Sequence, residues 1–160
     1  MNQRVGHGFD AHRLAAGRPF VLGGVRVPHE TGPLGHSDGD ALAHAVADAV
    51  LGACALGDLG RHFPDSDPKW KDADSLVLLS AVTALARAAG YAPNNVDATV
   101  VVQAPRLAPH LDAMRDRLAG ALGLDLDAVS VKAKTSEGMG YTGDGTGVAA
   151  YAVASVRRLA

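Results

Sequence analysis

The sequence predicts an α/β fold in which a mixed β-sheet carries helices on one face. Amphipathic helical patterns alternate with β-branched runs along the chain, which indicates strands connected by helices. Only three long helices are expected, and they are too few to cover both faces of a sheet. Small alternating residues near the C-terminus indicate a strand packed against a close neighbour. We therefore expect a second subunit to cover the open face, most simply in a cyclic oligomer.

The composition indicates a globular chain and excludes several classes of protein. Its 160 residues suit a single domain spanning residues 1–160, with 48% hydrophobic and 20% charged residues. A net charge of -2 without a basic run argues against a nucleic-acid binder. No apolar run approaches the roughly 20 residues of a membrane span, and no secretory signal is visible. The single cysteine, Cys54, allows no internal disulfide, so we expect a cytoplasmic location.

The first half of the chain is predicted to contain a strand, a hairpin and a helix. Residues 4–10 form the strand, residues 20–28 a hairpin that turns at Gly23 and Gly24, and residues 31–35 a loop. Asp38 and Asp40 precede the apolar run 41–51, which is typical of a helix N-terminus. The side of this helix that faces the core is predicted to carry Leu42, Ala45, Val46 and Ala49.

The second half is predicted to add two helices and three strands. A long polar loop over residues 55–71 leads to a helix that is capped by Asp74 or Ser75 and stopped by Gly90. A β-branched strand follows over 95–103, and Pro109 opens a helix to about residue 122. The core side of that helix is predicted to carry Leu111, Met114 (or Arg115), Leu118 and Leu122. Residues 129–133 and 148–156 are the remaining strands, separated by a glycine-rich loop.

A metal site is the most specific chemical signal in the N-terminal third. Asp10 and His12 lie two residues apart, so both side chains point to the same side of an extended chain. On the first helix, Asp40, His44 and Asp48 follow one another at intervals of four, which places an imidazole between two carboxylates. Asp10, His12 and His44 together form the ligand set of a catalytic zinc with one open position. The alternative without a metal is that Asp10 and His12 only form hydrogen bonds within a turn and that His44 is an ordinary helical histidine.

Two loops carry weaker signals. Asp58, Asp65 and Asp67 in the first loop either orient a polyol or hydrated cation, or simply stabilise turns through their side chains. The second loop, residues 134–147, is rich in glycine and hydroxyl groups, which suit phosphate binding. Its pattern matches neither the phosphate-binding loop G-x-x-x-x-G-K-[ST] nor the dinucleotide fingerprint G-x-G-x-x-G.

Taken together, these stretches resemble one family, the 2-C-methyl-D-erythritol 2,4-cyclodiphosphate synthases. The resemblance covers nearly the whole chain in the family's order and spacing. The matching stretches are Gly6-His-Gly-Phe-Asp-Ala-His12, His36-Ser-Asp-Gly-Asp40 with His44, Gly57-Asp-Leu-Gly60, Phe63-Pro-Asp-Ser-Asp-Pro68, Gln103-Ala-Pro105 with Pro109-His110, and Val131-Lys-Ala with Thr135-Ser-Glu137.

The resemblance implies a homotrimer whose sheets face a central axis, with active sites between neighbouring subunits. The implied reaction cyclises 4-diphosphocytidyl-2-C-methyl-D-erythritol 2-phosphate and releases CMP. Asp10, His12 and His44 would bind zinc, a Lewis acid and template for a phosphate oxygen. Glu137 would bind a second cation, magnesium or manganese, which bridges the diphosphate.

The remaining site residues are likewise implied by the resemblance. His36 and Thr135 would stabilise the transition state, and Ser37 would contact phosphate beside His36. Asp10 and His12 would also touch the substrate. The methylerythritol unit would lie against Asp58, Leu59, Gly60, Phe63, Pro64, Asp65, Ser66 and Asp67. The cytosine would lie against Val102, Gln103, Ala104, Pro105, Arg106, Leu107 and Ala108, and the nucleotide would be closed over by Lys134, Thr135, Ser136, Glu137 and Tyr141.

The chain departs from the family pattern in the glycine-rich loop. Lys134 and Ser136 stand where many members have threonines, but both still donate to phosphate. Asp144 stands where many members have an arginine, and Thr146 replaces a common glutamate. We therefore expect that the trimer does not hold an isoprenoid diphosphate in its core. Two alternatives to the synthase remain: a zinc-dependent phosphoester hydrolase, and a non-catalytic nucleotide-binding trimer.

Overall fold

A mixed five-stranded sheet organises residues 3–160, the part of the chain that the computed structural model describes. The strands are β1 (Gln3–Ala16), β2 (Phe20–Leu22), β3 (Val25–Val27), β4 (Thr31–Pro33), β5 (Tyr91–Val101), β6 (Val129–Lys134) and β7 (Gly147–Arg158). The α-helices are α1 (Ala41–Ala53), α2 (Leu59–His62), α3 (Ser75–Ala88), α4 (Leu111–Leu122) and α5 (Gly140–Gly143). Short 3₁₀ turns occur at Pro68–Trp70, Ala108–His110 and Leu126–Ala128.

The sheet has the order β4-β1-β7-β5-β6, and β2 and β3 form a separate hairpin. β7 pairs antiparallel with both β1 and β5, whereas β5 and β6 run parallel. The parallel pair is connected through α4, as a crossover requires. Helices α1, α3 and α4 pack together with one face of the sheet, so the predicted mixed sheet with helices on one face is confirmed.

Helix α1 occupies the centre of this packed face. It contacts β1 and β7, and ten of its 13 residues are buried. The predicted core positions Leu42, Ala45, Val46 and Ala49 are all fully buried. His44 and Asp48 are only half-buried, so they are the polar side chains that α1 presents away from the core.

The opposite face of the sheet carries large apolar side chains that the chain itself leaves exposed. Val5 is 68% exposed, Phe9 46%, Tyr151 43% and Val153 44%. Phe9 and Tyr151 are directly paired across β1 and β7, with ring centroids 5.1 Å apart. An exposed apolar surface of this kind is typical of an interaction site.

Several predicted boundaries were wrong. β1 continues past Asp10 to Ala16, because β7 pairs with it as far as Arg13 and β4 pairs with its last three residues. Residues 31–33, predicted as loop, are that short partner strand. The third long helix begins at Leu111, and Pro109 lies in the 3₁₀ turn before it. Each long loop contains a short helix, α2 in the first loop and α5 in the second. Neither helix was predicted, because both segments contain glycines.

The helix predictions were otherwise accurate. Asp74 rather than Ser75 caps α3, and its carboxylate accepts from the backbone N–H of Leu76. Of the residues predicted for the core side of α4, Met114, Leu118 and Leu122 are buried, whereas Leu111 is only partly buried against the core. The strand predicted over residues 148–156 is β7, which is longer by one residue at its start and two at its end. Among residues 3–160, no helix is both long and apolar enough to cross a bilayer.

Candidate active site with a metal-binding triad

Three side chains from two elements meet at one point beside α1. Asp10 and His12 extend from β1, and His44 extends from the second turn of α1. The Oδ2 atom of Asp10 lies 2.7 Å from Nε2 of His12 and 2.9 Å from Nδ1 of His44. One ligand atom from each residue lies within 4.8 Å of the other two. The structure therefore brings together the predicted ligand set.

The electrostatics of the triad favour a bound cation. Burial alone raises the pKa of Asp10, but hydrogen bonds and charge from His12 and His44 outweigh it and lower that pKa to about 2. Burial lowers the pKa of His12, whereas the hydrogen bond to Asp10 and its charge raise it more, so the net shift is upward. A permanently ionised carboxylate thus attracts positive charge between the two imidazoles.

The outer hydrogen bond of His12 orients its ring. Its Nδ1 atom lies 2.9 Å from the carbonyl oxygen of Leu34, which only accepts, so Nδ1 carries the proton. A metal ion at the triad would replace the Nε2 proton that hydrogen-bonds to Asp10, so the neutral ring would offer the Nε2 lone pair to the ion. The donor set therefore consists of two imidazoles and one carboxylate, and the hydrogen bond to Leu34 orients one of the imidazoles. Such a set fits a divalent metal ion.

A cleft of about 300 Å³ opens directly over the triad. It gathers predicted residues from three separate stretches of sequence: the triad itself, the loop before α1, and the segment around α2. Asp48, which was predicted only as a carboxylate beside His44 on α1, also lines it. The lining residues are Asp10, His12, His36, Ser37, His44, Asp48, Asp58, Leu59, Gly60, Phe63 and Asp65.

His36 contributes an unsatisfied nitrogen to this cleft. Within residues 3–160, its Nε2 atom is buried and has no hydrogen-bond partner. A buried polar atom without a partner costs free energy, so this nitrogen is suited to a ligand.

Asp48 connects α1 to the segment that carries Asp58, Leu59 and Gly60. Its Oδ1 atom accepts a 2.7 Å hydrogen bond from the backbone N–H of Leu59. Burial raises the pKa of Asp48, and the charges of Asp58 and Asp10 add to the effect, while the Leu59 hydrogen bond opposes it. The four-residue spacing from His44 singled out Asp48 in the sequence, but it did not predict the hydrogen bond from Leu59.

Asp40 does not flank His44 as predicted. It is fully buried, and its carboxylate accepts from the backbone N–H groups of Gly23, Gly24 and Ala43. The side chain of an N-cap folds back over the first turn of its helix, and here it also satisfies the tip of the β2–β3 hairpin. Burial raises the pKa of Asp40, and these hydrogen bonds oppose the shift.

Two aspartates of the 55–71 loop make turn-stabilising hydrogen bonds. Asp58 caps α2 by accepting from the N–H of Arg61, and Asp67 accepts from the N–H of Lys69 at the first 3₁₀ turn. Asp65 lines the cleft, as Asp58 also does. Pro64 and Ser66 lie on the same turn, between Phe63 and Asp67.

A second cleft, of about 210 Å³, collects the segment predicted for cytosine. Thr135 lines this cleft and His36 lines the first, so the two residues expected to act on one transition state lie in different clefts of the chain. The backbone N–H of Val102 donates to the carbonyl of Lys134, which joins the two walls. The lining residues are Val102, Gln103, Pro105, Arg106, Leu107, Ala108, Ala133, Lys134 and Thr135, and Ala104 lies between two of them.

The loop after β6 holds Glu137 on the surface. Glu137 has a left-handed φ of 53°, and its Oε1 atom lies 3.4 Å from the hydroxyl of Thr135. Ser136 is tied down by hydrogen bonds to the carbonyl of Met139 and the hydroxyl of Thr142. Tyr141 lines a separate hollow beside His12. Within residues 3–160, the side chain of Glu137 does not lie with the three metal-binding side chains of the triad.

Comparison with known proteins identifies the family. A model described as the YgbB family matches residues 3–157. The 2-C-methyl-D-erythritol 2,4-cyclodiphosphate synthase of Salinibacter ruber is 60% identical over 154 residues, which cover 96% of this chain and 98% of the relative.

Solved structures give the same result. A 2C-methyl-D-erythritol-2,4-cyclodiphosphate synthase in a CDP-bound form matches 94% of this chain and 98% of its own, with 40% identity and a TM-score of 0.87. The bifunctional IspDF from Campylobacter jejuni matches 98% of this chain with 38% identity and a TM-score of 0.94, and this chain spans 42% of its length. The resemblance predicted from the sequence is therefore confirmed, and the chain belongs to the YgbB family, the 2-C-methyl-D-erythritol 2,4-cyclodiphosphate synthases.

Proposed function

We propose that this chain converts 4-diphosphocytidyl-2-C-methyl-D-erythritol 2-phosphate to 2-C-methyl-D-erythritol 2,4-cyclodiphosphate and CMP, in non-mevalonate isoprenoid biosynthesis. The observation that carries the proposal is the convergence of Asp10, His12 and His44 at the base of a cleft. This triad lies in a chain that is 60% identical to a synthase of that name.

The reaction is an intramolecular phosphoryl transfer. An oxygen of the 2-phosphate attacks the β-phosphorus of the diphosphate and forms a new P–O–P bond. The bond from the β-phosphorus to the bridging oxygen breaks, and that oxygen leaves with CMP. No water and no redox step are required, so catalysis consists mainly of positioning and charge stabilisation.

Asp10, His12 and His44 would hold zinc, and Glu137 would hold magnesium or manganese. When bound, these cations supply Lewis-acid stabilisation of phosphate charge. Zinc is favoured over a hard cation at the triad because two of its three ligands are imidazole nitrogens. An exposed single carboxylate such as Glu137 suits a magnesium ion that shares its coordination with substrate phosphates.

The remaining polar groups would position the substrate. The free Nε2 of His36 would donate to a phosphate oxygen, and Ser37 lines the same cleft. Asp58 and the backbone of Gly60 face the hydroxyl groups of methylerythritol. In the second cleft, Lys134 and Thr135 donate to the nucleotide phosphates, while residues 102–108 enclose the base.

A homotrimer would complete the active site. The exposed apolar face around Phe9, Tyr151 and Val153 would turn toward a central axis and be buried there. The triad cleft of one subunit would then meet the residue 102–108 cleft of its neighbour. This arrangement accounts for the placement of His36 and Thr135 in separate clefts of one chain.

Product analysis tests the proposal. We expect zinc-loaded protein with magnesium to release CMP, and ³¹P NMR to show a cyclic diphosphate as the only other phosphorus product. Production of a linear phosphate ester would support the hydrolase instead. Binding of CDP without any turnover would support a non-catalytic nucleotide-binding trimer.

A further inference from the structure

We infer that Ser75 and Asp38 are positioning residues for the metal ligand His44. The inference deepens the proposed function, since it rests on the metal centre at the triad. Neither residue lines the cleft over the triad, and neither was predicted to belong to the site.

Three elements meet behind the imidazole of His44. The ring nitrogen that faces away from Asp10, Nε2, lies 2.8 Å from the hydroxyl of Ser75. Ser75 is the first residue of α3 and is 1% exposed. Its hydroxyl in turn donates a short hydrogen bond to the Asp38 carboxylate, which lies in the loop before α1.

The donors around Asp38 fix the direction of these hydrogen bonds. Its carboxylate accepts from the N–H of Asp40, the N–H of Ser75 and the hydroxyl of Ser75. An ionised carboxylate only accepts, so the single proton of the Ser75 hydroxyl points to Asp38. The Ser75 oxygen is then left with lone pairs for His44. Consequently, Nε2 of His44 must be the protonated nitrogen.

This direction determines what His44 offers to the triad. With the proton on Nε2, Nδ1 is the nitrogen whose proton a metal ion can replace, and it lies 2.9 Å from Asp10. The neutral ring then has its lone pair on Nδ1. The hydroxyl of Ser37 is a weaker second acceptor, at 3.2 Å from Nε2. Ser75 and Asp38 therefore select the tautomer of His44 that can ligate a metal. They also hold the imidazole ring in the orientation that this requires.

The test compares metal affinity in two serine variants of the same helix. Ser75→Ala removes the hydroxyl but leaves the backbone N–H that donates to Asp38. Ser80→Ala is the matched control, because Ser80 is exposed on α3 and outside the triad cleft. Zinc affinity is measured on the intact protein by competition with a chromogenic chelator, without substrate.

We expect Ser75→Ala to weaken zinc binding by about tenfold to a hundredfold, the usual effect of losing a group that orients a metal ligand. Ser80→Ala should bind zinc as the wild type does. Asp38→Asn should weaken binding in the same direction, because an amide cannot accept all three hydrogen bonds. Equal zinc affinity in the wild type and Ser75→Ala would overturn the inference while leaving the metal centre intact, whereas a wild type that binds no zinc would overturn the metal centre as well.

A spectroscopic measurement separates positioning from a general effect on stability. Long-range ¹H–¹⁵N NMR of the histidine rings, with His44 assigned by its loss in His44→Gln, reports which nitrogen is protonated. In the zinc-loaded wild type we expect a protonated Nε2 and a metal-bound Nδ1 on His44. A metal-bound Nε2 or a protonated Nδ1 would contradict the assignment, whatever the affinities are.

Discussion

Gly8 in β1 lies so close to α1 that an added Cβ would come within 1.8 Å of the carbonyl oxygen of Ala45. The same holds for Gly6, whose Cβ would come within 2.0 Å of the carbonyl oxygen of Ala49. Strand and helix are therefore in backbone contact, which only glycine permits. This contact lies next to His44 and brings it within 2.9 Å of Asp10.

Replacing Gly8 by alanine should push α1 away from β1. We expect Gly8→Ala to lower stability by about 3 kcal/mol, because the obstacle is backbone and cannot rotate away. In a thermal melt of this chain length, such a loss is a fall of roughly 10 °C. Zinc affinity should fall as well, since His44 moves with the helix.

Gly120→Ala is the control for that substitution. Gly120 lies in α4, and an added Cβ would meet nothing within 4 Å. Alanine is favoured over glycine in a helix, so this variant should be more stable by up to about 1 kcal/mol, with unchanged zinc affinity. Equal stability of Gly8→Ala and the wild type would show that strand and helix are not in tight contact.

Asp48 should affect substrate binding through the backbone of Leu59. Asp48→Ala removes the acceptor of the 2.7 Å hydrogen bond, which frees the segment from Asp58 to Gly60. One such bond contributes about 1 kcal/mol, so we expect KM to rise about threefold to tenfold, with a smaller change in kcat. Steady-state kinetics on the diphosphocytidyl substrate measure both constants.

Asp48→Asn distinguishes this role from direct contact with the substrate. The amide oxygen can still accept from Leu59, and the variant carries no buried charge. KM should therefore stay close to the wild-type value. An increase in KM as large as that of the alanine variant would show that the charge of Asp48 itself matters.

The exposed sheet face should be the subunit interface. Val153→Lys places a charge on β7, the central strand of this face, where burial of a charged side chain is costly. We expect the variant to be monomeric in sedimentation velocity and inactive, because each active site needs a neighbour. Val77→Lys is the matched control, since Val77 is 61% exposed on α3, and it should remain trimeric. A monomeric wild type, or a trimeric and active Val153→Lys, would contradict the proposed assembly.

Glu137 should control the second cation without affecting zinc. Glu137→Gln retains the size of the side chain but removes the negative charge that favours a hard cation. We expect kcat/KM to fall by at least about a hundredfold and the magnesium concentration for half-maximal activity to rise, with one zinc per subunit retained by metal analysis. An unchanged magnesium requirement would exclude Glu137 as the cation ligand.

The sequence was most informative where local pattern and chemistry coincide. The two-residue spacing of Asp10 and His12 on an extended strand, and the position of His44 on the polar side of α1, suggested a shared ligand set. They left open the alternative of a turn and an ordinary helical histidine, and the family resemblance decided between the two. The family motifs added residues that no periodicity indicates, such as His36 and Thr135.

Long-range hydrogen bonds explain what the sequence did not reveal. The four-residue spacing suggested that Asp40 flanks His44, but Asp40 instead satisfies backbone groups at Gly23 and Gly24, 17 and 16 residues away. Ser75 stands at the predicted start of an apolar helix, so the sequence suggests only a structural role for it. The fold nevertheless places its hydroxyl 2.8 Å from the ring of His44, which is 31 residues away in the chain. Such contacts depend on how helices pack, and single-sequence patterns carry little of that information.

The most direct test of the proposed chemistry is the fate of water oxygen during turnover. Zinc- and magnesium-loaded protein is incubated with the diphosphocytidyl substrate in ¹⁸O-labelled water, and both products are analysed by mass spectrometry. Because the attacking oxygen belongs to the substrate's own 2-phosphate, we predict that neither CMP nor the cyclic diphosphate acquires ¹⁸O. Incorporation of one ¹⁸O atom into CMP or into a linear methylerythritol phosphate would mean that water is the nucleophile, and it would contradict intramolecular transfer in favour of hydrolysis.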